Sequence, residues 1–372
     1  MEPLSTITPP PIQKAALHLY QLYDVADTIN LDRAREVSSA PSARVRPVAS
    51  RGGNIEIAQL PLELSMGDYT VPIGERHLRA YLSARIYDLG IFALRLVLPL
   101  DDPLTWDDLT DLMAHVQNVP SSVMGVFETN CDVLRKMLAP AILKPNVTTR
   151  TEDYAILLVE QLAPGAPASL LGKSPTLLRA ALGERRPLSA SAQSLATSLS
   201  YYEDDLILLT WSAAIVIEPD AIARDDAALL LEFANVELLS FRTYDDQVER
   251  DLMHIAPRIQ QRRRPIVSSL GSTGAFLHEI HALITDITQT SARVENALKV
   301  SEDVYWNRVY TAALATLRVN VWRASIAETL QVLRETASML HDDSHAAWAT
   351  LLEILVIVLI AVELVVALIG PH

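Results

Sequence analysis

The sequence predicts a mixed α+β N-terminal domain, followed by an all-α helical hairpin and coiled-coil region and closed by one C-terminal transmembrane helix. Three observations predict this order. Strand-length apolar runs dominate up to Pro219, the apolar spacing switches to three or four from Asp225 onward, and residues 346–369 contain no Lys, Arg or Asp. The implied organisation is a cytoplasmic domain over 1–220, helices over 221–345 and a membrane tail anchor over 346–370.

Residues 15–23 (AALHLYQLY) read as a strand, and a short helix opens near Asp32. Residues 38–53, rich in Ser, Ala, Pro and Arg without an apolar period, read as a mobile connector. Strand character returns over 54–64 and 78–98, the latter containing Gly90 and ending in the alternating run ALRLVL. Thr105 and Asp107 open a helix through Val116, residues 123–138 supply another, and 154–159 (YAILLV) return to strand. Residues 188–199 look helical, 204–209 are short and apolar, and 213–217 form a last strand before Pro219.

Phe241, Tyr244, Val248, Leu252, Ile255 and Ile259 draw a seam along one helix face, with a kink expected at Pro257. Arg262, Arg263, Arg264, Pro265 and Gly271 interrupt it, and Leu277, Ile280, Ile284, Ile287, Val294 and Leu298 resume it, so an antiparallel hairpin is expected. A third helix carries Leu317, Val321, Ile326, Leu330, Leu333, Ala337 and Leu340. Residues 346–369 extend to about 36 Å of helix, beyond the roughly 30 Å of a hydrocarbon core. Arginines lie upstream, so the expected topology is a single pass in the inner (cytoplasmic) membrane with the N-terminal bulk in the cytoplasm. Glu353 and Glu363 interrupt the run, and a carboxylate within a bilayer calls for protonation or a partner. A packing or oligomerisation helix is the rival reading of this segment.

Composition narrows function more than it assigns one. The net charge of −14 over 372 residues disfavours a broad polyanion-binding surface, and DNA is not an expected partner. Cys131, the single cysteine, has no disulfide partner in the chain, which fits a reducing compartment. Gly172-Lys173-Ser174 lacks the P-loop spacing, because Gly165 stands six residues before Gly172 where four are required. His278 and His281 lie three apart rather than the four of the HExxH zinc pattern, while His341-Asp342-Asp343-Ser344-His345 has better ligand spacing but is explained more simply as a polar boundary before the terminal segment. Arg258 with Arg262, Arg263 and Arg264 is the clearest basic cluster, suited to phosphate or lipid headgroups or to a solvated hairpin tip. No catalytic motif, metal site or cofactor is expected.

The segment Leu230 to Leu239 (LLEFANVELL), followed by Arg242 and Tyr244-Asp245, resembles the required-for-meiotic-nuclear-division (RMND/Rmd) family, in its bacterial-type members. Asp303-Val304-Tyr305, Trp322 to Ile326, Leu330, and Leu352-Glu353-Ile354 with Leu359-Ile360 and Glu363 resemble its last third. Residues Ala84 to Gly90 and Asp204-Asp205-Leu206 with Trp211 resemble its N-terminal part. Glu328-Thr329 and Ile354 depart from the family pattern, which expects a basic residue and an aromatic there. The resemblance implies a membrane-anchored, non-enzymatic oligomeric scaffold near translation or membrane-protein biogenesis, with the bilayer, further copies of the chain and a ribosome-associated component as partners. It singles out Glu232, Asn235, Arg242, Tyr244 and Asp245 as functional polar positions, although a polar network closing a domain junction uses the same residue types. The alternatives are a membrane-bound metal-dependent hydrolase and a small pore of bundled C-terminal helices.

Overall fold

The computed structural model describes residues 8–47, 54–117, 121–146, 150–261, 270–301 and 303–369. In chain order its strands and helices begin with β1 (Ile12–Asp24), β2 (Ala26–Ile29), α1 (Leu31–Val37), β3 (Ser42–Arg44), β4 (Asn54–Ile57), β5 (Leu62–Ile73), β6 (Arg76–Ile86) and β7 (Ile91–Leu100). Next come α2 (Trp106–Gln117), α3 (Ser121–Met137), β8 (Ile142–Pro145), β9 (Thr151–Leu162), α4 (Pro175–Leu182), β10 (Thr197–Leu199), β11 (Leu206–Leu209) and β12 (Ala213–Ile217). The rest is α5 (Ala221–Gln261), α6 (Leu270–Glu295), β13 (Leu298–Ser301), α7 (Val304–Thr316) and α8 (Val319–Ile369). The chain divides into two compact units: Met1–Thr243 with Arg293–Trp322, and Tyr244–Ala292 with Arg323–His372.

The first unit is built on a nine-stranded sheet in the order β10-β11-β12-β9-β1-β7-β6-β5-β3. All of its pairs are antiparallel except β12 with β9. Alternation along the strands gives the sheet two different faces. On one, Leu17, Leu19, Leu82, Leu94, Leu96 and Leu157 pack against Leu109 and Met113 of α2, Phe127 and Leu134 of α3 and Leu177 of α4 in a continuous apolar core. The intervening residues, among them His18, Tyr20, Arg85 and Arg95, point the other way, toward the first half of α5. The arrangement is helices, sheet, helix.

Residues 78–98 form a hairpin rather than one run. Gly90 sits at φ +81, and a Cβ there would lie 1.7 Å from the carbonyl oxygen of Ala26, so only glycine lets the turn approach β2 this closely. The 38–53 connector contains β3, which pairs with β5; residues 48–53 lie outside the described residues. Residues 188–199 are a short 3-10 turn followed by β10, not an α-helix, because Thr197 to Leu199 pair with β11. Leu298 begins β13, paired with β4, instead of ending the second helix. The third predicted helix lies on the first part of α8, except that Leu317 caps α7, which a break at Arg318, with φ +54, separates from α8.

In the second unit, Val248 and Ile255 of α5, Phe276, Ile280 and Ile287 of α6, and Leu333 and Ala337 of α8 are buried. Helix α5 continues through Pro257 to Gln261.

The expected transmembrane helix is corrected by the structure. Residues 346–369 are the end of the 51-residue α8, and among the described residues no helix is long and apolar enough to cross a membrane. Glu353 and Glu363 are both exposed in this stretch. The tail anchor and the single-pass inner-membrane placement fall with the transmembrane helix.

Candidate functional site

Four strands and one helix bring the candidate site together. The register sets Tyr20 of β1 opposite Arg95 of β7, Arg95 opposite Ser83 of β6, and Arg85 of β6 opposite Glu63 of β5. Neighbouring strands thus place two guanidiniums and one carboxylate within reach of one another on the same face. Arg85 Nε donates to Glu63 Oε2 at 2.9 Å, Arg95 Nη2 to Glu63 Oε1 at 2.8 Å, and Arg95 Nε to Ser83 Oγ at 3.3 Å.

Helix α5 closes the cluster from above. The Glu232 carboxylate receives Arg85 Nη1 on Oε2 and the Tyr87 hydroxyl on Oε1, each at 2.6 Å. The Phe233 ring stands edge-on to Tyr87 at 5.0 Å. Glu232 is 2% exposed and Arg85 8%, so the pair lies out of water, where every charge needs a partner. Here each has one. Burial works against the Arg85 charge, but Glu232 and Glu63 outweigh it and hold the guanidinium protonated. Burial likewise pushes Glu63 up, and Arg85 and Arg95 more than reverse it, leaving the carboxyl below its ordinary range.

The neighbouring groups are tuned to stay neutral. Burial, followed by the positive charges of Arg95, Arg85 and Arg224, holds His18 well below an ordinary imidazole. Burial and the Glu232 charge push Tyr20 up to about 12 and Tyr87 in the same direction. The arrangement binds α5 to the sheet by matched charge. It offers no base poised near neutrality beside a nucleophile.

A second polar cluster lies at the far end of β1. Asp24 is 4% exposed; burial raises its carboxyl to about 7, against the hydrogen bond it receives from Asn146. Arg242, beside Thr243, donates to Glu152 of β9 and lies 5.6 Å over the ring of Trp322.

The five signature positions therefore separate. Glu232 is central to the first cluster. Asn235, one turn further, donates to the Leu231 carbonyl at 2.9 Å, and its buried Oδ1 has no hydrogen-bond partner among the described residues. Arg242 belongs to the second cluster. Tyr244 donates to Asp286 of α6 at 3.1 Å in the second unit, and Asp245 is half-buried there. Glu353 and Glu363 are exposed on α8. The Arg258 side chain and residues Arg262, Arg263 and Arg264 lie outside the described residues. His278 and His281 are exposed, and no three His, Cys, Asp or Glu side chains among the described residues are grouped to hold a metal ion. Cys131 is buried, and burial raises its thiol to about 11.

Sequence reasoning passed over Glu63, Arg95, His18 and Tyr20. Their one signal is a polar residue at every second place in strands whose other positions are leucine, as in Leu94-Arg95-Leu96.

These features define an α/β domain with a broad, largely antiparallel sheet and a charge-clamped covering helix. The chain belongs to the family described as "Uncharacterized protein MJ0711, N-terminal domain", whose sequence profile matches residues 14–223, more than half of its length. That span runs from β1 to the first turn of α5 and so supplies every sheet residue of the first cluster, whereas Glu232 lies beyond it. No curated protein and no solved structure matches the chain.

Proposed function

We propose that the protein is a non-enzymatic scaffold that assembles with further copies of itself through the outer part of α8. One observation carries the reading: Leu352, Ile354 to Ile360 and Val362 are large apolar side chains, each 49–60% exposed, in one continuous stretch of helix. At about 100° per residue they occupy the whole circumference. Glu353 and Glu363, ten positions apart, fall within about 80° of each other. A helix that is apolar all round is at home inside a bundle, and a single partner covers only one stripe. Nine such side chains expose on the order of 800 Å2, about what one partner contributes to a stable protein interface. The occupant that fits is the same helix from other copies, in an assembly of more than two.

The matched charges of the first cluster support a structural rather than catalytic part for the sheet. The finer resemblance to the RMND/Rmd family adds, by analogy alone, a place beside the translation machinery.

Analytical ultracentrifugation of the full chain tests assembly. Wild type is expected to sediment as a trimer or larger, and Ile357→Glu with Leu359→Glu as a smaller species with unchanged far-UV circular dichroism. A monomeric wild type at about 50 μM, roughly 5.9 kcal/mol of association, overturns the reading. Crosslinking in cells followed by identification of attached proteins tests the translation analogy separately. Absence of ribosomal or biogenesis components removes the analogy and leaves self-assembly standing.

A further inference from the structure

Beside the first cluster, on the same face of the sheet, a cleft of about 650 Å3 lies between β3, the segment after it, and strands β5 to β7. Its chemistry differs from the rest of the chain. Arg44, Arg46 and Arg95 line it against the single carboxylate of Glu63, in a molecule whose net charge is −14. Glu63 is held between Arg85 and Arg95, so the positive charge left facing the opening is that of Arg44 and Arg46. Arg46 is exposed, whereas Arg44 is one-fifth exposed and donates to the Leu60 carbonyl at 2.6 Å and to Asp32, whose side chain is 93% exposed and which water screens heavily.

The floor of the cleft is not merely basic. Tyr81 and Ser83 alternate on the same face of β6, with Ser83 opposite Ser65 on one side and Arg95 on the other. Tyr81 is 45% exposed, although its ring stands on a sheet whose neighbouring aromatics, Tyr20 and Tyr87, are buried. The cleft therefore presents an open aromatic face, hydroxyls and guanidiniums together. A guanidinium fork pairs geometrically with phosphate, and an exposed aromatic ring stacks on a planar base. The volume lies within the range of small-ligand clefts and is far too confined for a duplex.

We infer that this cleft binds a mononucleotide, its phosphates on Arg44 and Arg46 and its base on Tyr81. The inference is independent of assembly through α8. Arg46 also lines an adjoining opening with Glu56, Asn296 and Lys299.

Equilibrium dialysis of the full chain with ATP, adenosine and inorganic phosphate tests this directly. ATP is expected to bind saturably and at least about 10-fold more tightly than either fragment. Arg46→Glu is expected to weaken ATP by about 10-fold or more, and Tyr81→Ala by about 5-fold, while Arg33→Glu on α1 leaves it unchanged. Photolabelling of wild type with 8-azido-ATP is expected to modify peptides containing residues 41–46 or 76–97, a readout that needs no variant to fold. Absence of saturation to about 2 mM overturns the inference. So does phosphate binding as tightly as ATP, a label placed elsewhere, variants that bind like wild type, or a short single-stranded RNA binding more tightly than the mononucleotide.

Discussion

The two faces of the sheet are built from the same strands and hold their helices by opposite means. Under α2, α3 and α4, Leu17, Leu19, Leu82, Leu94, Leu96 and Leu98 meet apolar side chains. Under α5, the residues between them include His18, Tyr20, Arg85 and Arg95, and the covering helix answers with Glu232. Burial on the first face is favourable wherever shapes fit, because it is non-directional. On the second it is tolerable only in one register, since a slip of either partner leaves a charge out of water with no counter-ion. The apolar face supplies adhesion. The charged face fixes where along the sheet α5 lies.

The largest expected effect breaks that difference at its centre. Arg85→Met leaves Glu232 buried with only the Tyr87 hydroxyl and should cost about 3–5 kcal/mol in urea unfolding. Arg85→Met combined with Glu232→Leu removes both charges and should recover most of the loss. A double variant as unstable as the single would show that the cost was packing and not charge. On the apolar face, Leu96→Ala should cost about 3 kcal/mol through the cavity it leaves, and no second substitution across the sheet should restore it except one that refills the volume.

How far each face was legible follows from the same contrast. Alternation in residues 15–23 and 93–98 and the spacing of three and four after Asp225 report apolar contact, so β1, β7 and α5 could be read locally. Ionic partners leave no such trace: Arg85 and Glu232 are 147 positions apart, and neither strand order nor register is written between them. Glu232 was marked only through family resemblance, and Glu63 and Arg95 by nothing stronger than polarity in an apolar strand. Leu188, Leu195 and Leu199 have helix-compatible spacing, whereas the pairing of Thr197 to Leu199 with β11 makes the segment a 3-10 turn and a strand. Residues 346–369 misled in another way. Their composition measures apolarity, and apolarity alone does not distinguish bilayer from bundle, whereas the structure makes them the end of a helix that begins in polar sequence at Val319.

A third effect separates two buried carboxyls by the sign of their pH dependence. Asp24 is raised from 3.8 to about 7, so its contribution is fully present below pH 3.8 and is lost as pH rises toward 7. Between those values unfolding releases a proton, and stability should fall by up to about 1.4 kcal/mol per pH unit. Asp24→Asn should flatten the profile in that window, as measured by urea midpoints from pH 4 to 8. Glu63 is lowered, so its contribution is present above 4.5 and is lost as pH falls through the depressed value. Glu63→Gln should therefore flatten the acid limb and leave the window above pH 5 unchanged. Identical profiles for the two variants would contradict the separate environments assigned to them.

The smallest effect concerns Arg242, where charge and stacking can be told apart. Its guanidinium donates to Glu152 and lies 5.6 Å over the Trp322 ring, with 27% of the side chain still exposed. Burial raises the Glu152 carboxyl and the Arg242 charge opposes that shift, so the pair is partly desolvated but reachable by water. Arg242→Lys keeps the positive charge and gives up the planar fork and its stacking, for an expected loss of about 1 kcal/mol. Trp322→Leu removes the ring while leaving Glu152 in place. If the guanidinium is held mainly by stacking, the two substitutions should couple by about 0.5–1 kcal/mol in a double-mutant cycle. If it is held mainly by Glu152, the Trp322 cycle should give no coupling, and the same cycle run with Glu152→Gln should carry it instead.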